Sequence, residues 1–185
     1  MDNKKRCLLI SPDFPPPLIG GSLVYLLTLV ENCPFEFDIL TGSKNKDYEE
    51  VLKEPNKVYR SRLITDSHNP SRFHLLATYL FMPLWLITAN IKKNYQAVLV
   101  NPGALGNSIL FLVGRLFNIR VIGIGHAEEL TLPLYGKGIK NFIKRSFLKF
   151  SYKKASGFVV VCHFCKDILV KELDVKEGLI DVIPS

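Results

Sequence analysis

Four short runs constrain this chain more than anything else in it: Arg6-Cys7-Leu8-Leu9-Ile10-Ser11, Gln96-Ala97-Val98-Leu99-Val100-Asn101, Arg120-Val121-Ile122-Gly123-Ile124-Gly125 and Gly157–Cys162. Each is apolar nearly throughout, and prolines follow the first, Pro102-Gly103 the second and His126 the third. Strands covered on both faces read this way, because neither side alternates toward water. Further strands are expected at Phe35–Thr41, closed by Gly42-Ser43, at Lys57–Leu63, where the residues alternate, and at Leu179–Ile183. Helical patterns separate them at Ser22–Glu31, Leu105–Phe117, Lys137–Lys154 and Lys166–Leu173, and the polar stretch Lys44–Asn56 reads as a surface loop or short helix. Strands alternating with helices at this spacing imply right-handed crossovers and a parallel sheet, so the expected class is α/β, doubly wound, mostly parallel, with helices on both faces.

A chain of 185 residues fits one domain, expected to span 1–185, and buries enough apolar surface to fold without a disulfide or metal. Cys7, Cys33, Cys162 and Cys165 are scattered in apolar contexts, and the charged start Met1–Arg6 runs directly into a strand rather than into a secretory leader. A reducing, cytoplasmic setting is the expectation. The net charge of +7 points to an anionic partner: nucleic acid, an anionic lipid surface or a phosphorylated substrate. No RNA-reading aromatic signature, zinc-finger spacing or continuous basic recognition helix is present, which argues against nucleic acid.

In doubly wound sheets, ligands bind beyond the carboxyl ends of the strands. That rule selects the loop after Ser11, Asn101-Pro102-Gly103, His126-Ala127-Glu128-Glu129 and Cys162-His163. In the first, Phe14-Pro15-Pro16-Pro17-Leu18-Ile19-Gly20-Gly21, prolines stiffen the exit from the strand. Gly20 and Gly21 remove side chains where a helix begins, so backbone N–H groups are open to a phosphate. A tight turn that needs glycine has the same sequence, and the spacing matches neither established phosphate-binding fingerprint.

His126 ends a strand ahead of two carboxylates. A neutral imidazole there can serve a sugar hydroxyl or a phosphate, or simply bond a loop carbonyl. Glu128 and Glu129 equally suit the first turn of a helix. Cys162-His163-Phe164-Cys165 has the outline of a redox or zinc motif, and a strand-to-helix position lowers a thiol pKa, yet no second ligand pair for zinc exists.

Lys140, Lys144, Arg145, Lys149 and Lys153 share a helix with Ile139, Phe142, Ile143, Phe147 and Phe150, a pattern fitting either an anionic membrane or a solvated face above a core-packing stripe. Phe73–Ile91 carries no charge and has nearly the length of a membrane span, but Pro83, His74, Thr78, Thr88 and Asn90 favour a kinked helix, buried or dipping into an interface.

Taken in order, these segments resemble the amino-terminal domain of family-4 glycosyltransferases, retaining enzymes of GT-B architecture built from two Rossmann-like halves. The matching residues are Pro16-Pro17 with Gly20-Gly21, His126-Ala127-Glu128-Glu129 where the family often has H-G-x-E, Ala155–Cys162 where it has A-D-x-V-I-x-V-S, then Lys166 and Val182-Ile183-Pro184. The resemblance covers essentially the whole chain. It implies a nucleotide-sugar donor, with no cofactor or metal, and a glycan or lipid-linked acceptor. Gly20 and Gly21 would lie near the donor diphosphate, His126 would face the donor sugar as the catalytic residue, and Asn101, Gly103 and Glu129 would line the substrate. Transfer would proceed with retention, the leaving diphosphate helping to deprotonate the acceptor.

Ala127, Cys162 and Ser185 depart from the family's glycine, serine and asparagine. The family's second, donor-binding domain would follow Ser185, so this chain is expected to be a piece of a longer protein and inert alone, cytoplasmic or peripheral at the cytoplasmic membrane face. A stand-alone binding or membrane-docking module with a separate partner, and another GT-B relative such as a sugar-nucleotide epimerase, are the alternatives.

Overall fold

The computed structural model describes residues 5–16, 20–42, 52, 54–64, 72–101, 105–126, 130 and 138–184. Among the described residues, seven strands, β1 (Arg6–Ile10), β2 (Glu36–Gly42), β3 (Lys57–Ser61), β4 (Val98–Val100), β5 (Val121–Gly125), β6 (Gly157–Val160) and β7 (Ile180–Val182), alternate with five α-helices. The helices are α1 (Gly21–Asn32), α2 (Arg72–Lys93), α3 (Leu105–Leu116), α4 (Ile139–Tyr152) and α5 (His163–Lys171). The strand order is β3-β2-β1-β4-β5-β6-β7, and the β1–β2, β2–β3, β5–β6 and β6–β7 pairs are parallel. The α/β, Rossmann-like class expected from the apolar runs is the class observed. The chain divides into two compact units, Met1–Leu99 and Val100–Ser185.

In the first unit, β1 and β2 are buried almost end to end, as their unbroken apolar runs require, whereas the alternating β3 is half-exposed at the sheet edge. Leu8, Leu9, Ile10, Leu26, Val30, Phe37, Ile39 and Leu40 make the core. Each such side chain contributes about 1.5–3 kcal/mol through its removal from water.

Helix α2 is continuous through Pro83, which lacks the N–H that would reach the carbonyl of Tyr79. It is neither wholly buried nor a span. Met82 and Leu86 face the core, the Thr78 hydroxyl donates to the Leu63 carbonyl at 2.9 Å, and Phe73, Leu76, Leu80, Leu84 and Ile91 are exposed. Among the described residues, no helix is long and apolar enough to cross a membrane.

Among the described residues of this unit, one acidic side chain is fully buried. Asp38, on β2, accepts from Lys93 and from the Tyr95 hydroxyl, both at 2.6 Å, with Arg6 3.9 Å away. Arg6 also pairs with Glu36 at 2.6 Å. Burial and the bond to Asp38 both push the Tyr95 phenol up; for Lys93, burial alone would lower the ammonium, but its hydrogen bonds to Asp38 and Tyr59 outweigh this and raise it.

In the second unit, Phe111, Tyr152 and Phe158 pack with ring centroids 5.3–5.5 Å apart. Strand β5 passes beside them only because it carries Gly123: a Cβ there would stand 2.5 Å from the Phe158 ring and 3.1 Å from Phe111. Helices α2 and α3 are followed by Asn94 and Asn118 with positive φ, a left-handed stop that asparagine tolerates better than most residues.

Helix α4 bears on the two alternatives left open for its apolar stripe. Its inward side is Leu148, Ser151 and Tyr152, while Ile139, Phe142, Ile143 and Phe150 are 77%, 71%, 62% and 56% exposed. The conspicuous apolar stripe is therefore not a core-packing stripe in this chain. Helix α5 begins at His163, three residues before the expected start, and the remaining boundaries coincide or differ by one or two residues. Most of the polar stretch from Lys44 lies outside the described residues.

Candidate functional site

The first candidate segment leaves the carboxyl end of β1. Ser11 is buried, donates its N–H to the Leu40 carbonyl at 3.1 Å, and bonds the Asp13 carbonyl through its hydroxyl at 2.7 Å. The Gly42 N–H reaches the Pro12 carbonyl at 3.0 Å, so the loop root is stitched to β2. Arg60, on β3, donates to the carbonyls of Phe14 at 3.3 Å and Pro15 at 2.8 Å. The buried Phe14 ring holds the same stretch from below. Pro17, Leu18 and Ile19 lie outside the described residues.

Gly20 and Gly21 then open α1, and both are exposed. Their reasons differ. Gly20 has φ +92°, which a residue with a Cβ adopts only under strain, whereas a Cβ on Gly21 would meet nothing within 4 Å. Among the described residues, no side chain caps the start of α1. A helix N-terminus of this kind presents N–H groups and the positive end of the helix dipole to solvent, an arrangement that receives anions.

The other candidates belong to the second unit. Asn101 follows β4 and is half-buried, its carbonyl accepting from the side-chain amide of Asn107 in the first turn of α3. Asn107 and its neighbour Ser108 are buried, and among the described residues neither Asn107 Oδ1 nor Ser108 Oγ has a partner. Sequence reading passed over both; a polar pair at the start of an apolar helix was the available signal. Gly103 and Glu129, expected to line a substrate, lie outside the described residues, as do Ala127 and Glu128.

His126 directly follows β5 and is half-buried, and its carbonyl accepts from Leu130 N–H at 3.2 Å. Burial lowers its pKa, because desolvation penalises the imidazolium. At neutral pH the ring therefore offers one N–H donor and one ring-nitrogen acceptor. Such a group can orient a hydroxyl or share a proton without placing a fixed positive charge in the site.

Cys162 is the N-cap of α5, and its Sγ lies 3.4 Å from Cys165 Sγ. Hydrogen bonds from the Cys165 backbone and side chain and from the Phe164 backbone lower the Cys162 thiol despite some desolvation, while burial and proximity to Cys162 push Cys165 up to about 12. Among the described residues, no group of three or more His, Cys, Asp or Glu side chains is placed to hold a metal ion.

Of the basic residues expected to meet a membrane, Lys140, Lys144, Arg145 and Lys149 all lie on α4. Lys144 is half-buried, Arg145 pairs with Glu172, and Lys149 pairs with Asp174 at 2.7 Å.

The described residues thus form a parallel, Rossmann-like α/β fold with strand-to-helix turns at the carboxyl ends of its strands. No family model matches this sequence, and no curated protein matches it. Solved structures do. The chain is similar to sucrose-phosphate synthase from Thermosynechococcus elongatus, with a TM-score of 0.69 at 15% identity over 98% of this chain and 48% of that one. It is similar to Phytolacca americana UGT2 complexed with UDP-2fluoro-glucose and pterostilbene, with a TM-score of 0.62 at 11% identity over 100% and 54%. It is also similar to UDP-N-acetylglucosamine 2-epimerase from Rickettsia bellii, with a TM-score of 0.61 at 10% identity over 96% and 44%. The chain spans about half the length of these proteins, and at these identities the likeness establishes a shared fold.

Proposed function

We propose that this chain is the amino-terminal, acceptor-side domain of a retaining glycosyltransferase of family-4 type, moving a sugar from a nucleotide-sugar to a glycan or lipid-linked acceptor. The observation that carries this reading is the uncapped start of α1 at Gly20-Gly21, on a loop fastened by Arg60. A cleaving glycosidic bond leaves its electron pair on the diphosphate, and N–H groups fixed in advance at a helix start stabilise that growing charge without reorganising. The departing diphosphate oxygen takes the acceptor proton on the face the acceptor attacks, so the new bond keeps the anomeric configuration. No protein nucleophile and no metal is assigned a step. His126, uncharged at neutral pH, orients a donor-sugar hydroxyl, and Asn101 contributes to the substrate-facing surface, its carbonyl position fixed by Asn107.

The donor-binding domain supplies the rest of the nucleotide contacts in this reading, and the present chain alone does not turn over. The test compares nucleotide release from nucleotide-sugars by the chain alone and by the protein carrying both domains. Activity is expected only in the latter, and His126→Ala there lowers kcat by roughly 100-fold, in the range of lost transition-state hydrogen bonds, without a change in folding. Near-normal turnover by His126→Ala overturns the role of that residue. The likeness to a UDP-N-acetylglucosamine 2-epimerase favours one second reading, in which the donor sugar is itself the substrate. Consumption of nucleotide-sugar without any acceptor, yielding an isomerised sugar, would favour it over transfer.

A further inference from the structure

The outward face of α4 is built unlike an ordinary solvated helix. Ile139, Phe142, Ile143 and Phe150 fall within one exposed strip, joined by Ser146 and the half-buried Phe147. From Ile139 to Lys154 the sequence carries Lys140, Lys144, Arg145, Lys149, Lys153 and Lys154 and no Asp or Glu. At 100° per residue, Lys149 falls at one edge of the strip and position 140 at the other, while Lys153 and Lys154, at the end of the helix and just past it, fall within its width. Lys154 Nζ lies 5.5 Å above the Phe150 ring, its stem drawn up along the apolar surface with its charge at the edge. The opposite face of the helix is occupied by Leu148, Ser151 and Tyr152, so the helix cannot roll to hide the strip without unpacking its own core.

We propose that this face docks on an anionic lipid bilayer, with α4 lying in the plane of the interface. Phe142, Ile143 and Phe150 enter the boundary between headgroups and acyl chains, and the bordering lysines meet lipid phosphates. Charge selects this occupant. Glu172 and Asp174 neutralise only part of the basic set, Arg145 with the former and Lys149 with Lys153 sharing the latter, which leaves a positive surplus around an apolar strip. A second copy of the chain, approaching through the same face, would set that surplus against itself. A polybasic border gains from an anionic surface, and aromatic and aliphatic side chains gain from the interface itself. The exposed apolar stripe of α2 differs, since Phe73–Ile91 carries no charge to choose a partner.

The test uses this chain with vesicles of phosphatidylcholine alone or mixed with phosphatidylglycerol, and requires no glycosyl transfer, so it stands or falls apart from the catalytic reading. Co-sedimentation is expected with the mixed vesicles and is expected to weaken with added salt. Phe142→Ser with Ile143→Ser, both at exposed positions, and separately Lys140→Glu with Lys154→Glu, are each expected to lower partitioning by about tenfold or more. In Phe142→Trp, the indole emission should shift to the blue on mixed vesicles. Equal binding to both vesicle types, undiminished binding by the serine variant, or an unshifted indole each overturns the proposal. So does a stable dimer that Phe142→Ser abolishes, which would assign the face to a second copy.

Discussion

Arg60 reaches from the edge strand β3 to the carbonyl of Pro15, 2.8 Å away, and its second guanidinium nitrogen bonds the carbonyl of Phe14. One side chain thus sets the position of the loop that leads into α1. Arg60→Leu removes both bonds while keeping much of the stem. Because charged-donor bonds contribute about 1.5–3 kcal/mol each at most, and these are part-buried, the expected loss is about 1–2 kcal/mol in denaturant unfolding. The backbone amides near Phe14 should then exchange with deuterium faster than those of β1. Unchanged exchange there would mean that Phe14 burial alone holds the loop.

Asp38 makes the first unit sensitive to base. Lys93→Met leaves a buried carboxylate with one short partner fewer, a class of change that costs about 3–5 kcal/mol when the group stays charged. The pH dependence has a fixed sign. Lys93 and Tyr95 are both raised, so the stability they contribute is full below their ordinary values near 10 and is lost as pH rises beyond them. The unfolding midpoint of the parent chain should fall above about pH 10, and the fall should be shallower in Lys93→Met with Tyr95→Phe.

His126 acts in the other direction. Its pKa is depressed by burial, so the unfolded chain takes up the proton first as pH falls. Stability is at its full value above about pH 6.5 and declines as pH drops toward and through the lowered folded value. Replacing His126 with Gln should flatten this part of the curve, measured as the urea midpoint between pH 5 and pH 8. An identical slope in parent and variant would show that His126 is equally solvated in both states.

Thiol chemistry gives a fourth check. With its pKa lowered at the α5 N-terminus, Cys162 should be alkylated by iodoacetamide before Cys7 and Cys165, both of which burial raises. Peptide mapping after a short exposure at neutral pH reads the order directly. Cys165→Ala should slow the reaction at Cys162 by removing a bond that favours its thiolate.

The apolar strands were legible because burial on both faces leaves a run with no alternation, as in β1, and because Pro102-Gly103 and Gly42-Ser43 mark where chains turn. The direction of α4 was not. Its periodicity gives two faces and leaves open which one packs, and the buried side is made by Leu148, Ser151 and Tyr152 rather than by Phe142 and Phe150. The early start of α5 was hidden because Cys162 is a weak helix opener by composition and makes no side-chain cap. Nor does local pattern predict Asp38, whose partners Lys93 and Tyr95 lie more than fifty residues away and meet it only once β2 and α2 have folded. At the candidate site, the exposed glycine pair was readable from order along the chain, whereas the hold of Arg60 on the loop and of Asn107 on Asn101 exists only in three dimensions.

The charged cluster around Asp38 has a consequence for anyone who would redesign this protein. Arg6 and Glu36 begin their strands, whereas the Ser11–Gly21 loop leaves from the far end of β1. At about 3.3 Å per residue, the two ends of a five-residue strand stand roughly 13 Å apart. Anchorage and recognition therefore occupy separate ends of one scaffold. Foreign loops can be grafted onto the carboxyl edge, and libraries sorted for new ligands, while the ion-paired base remains untouched as the clamp on which every variant folds.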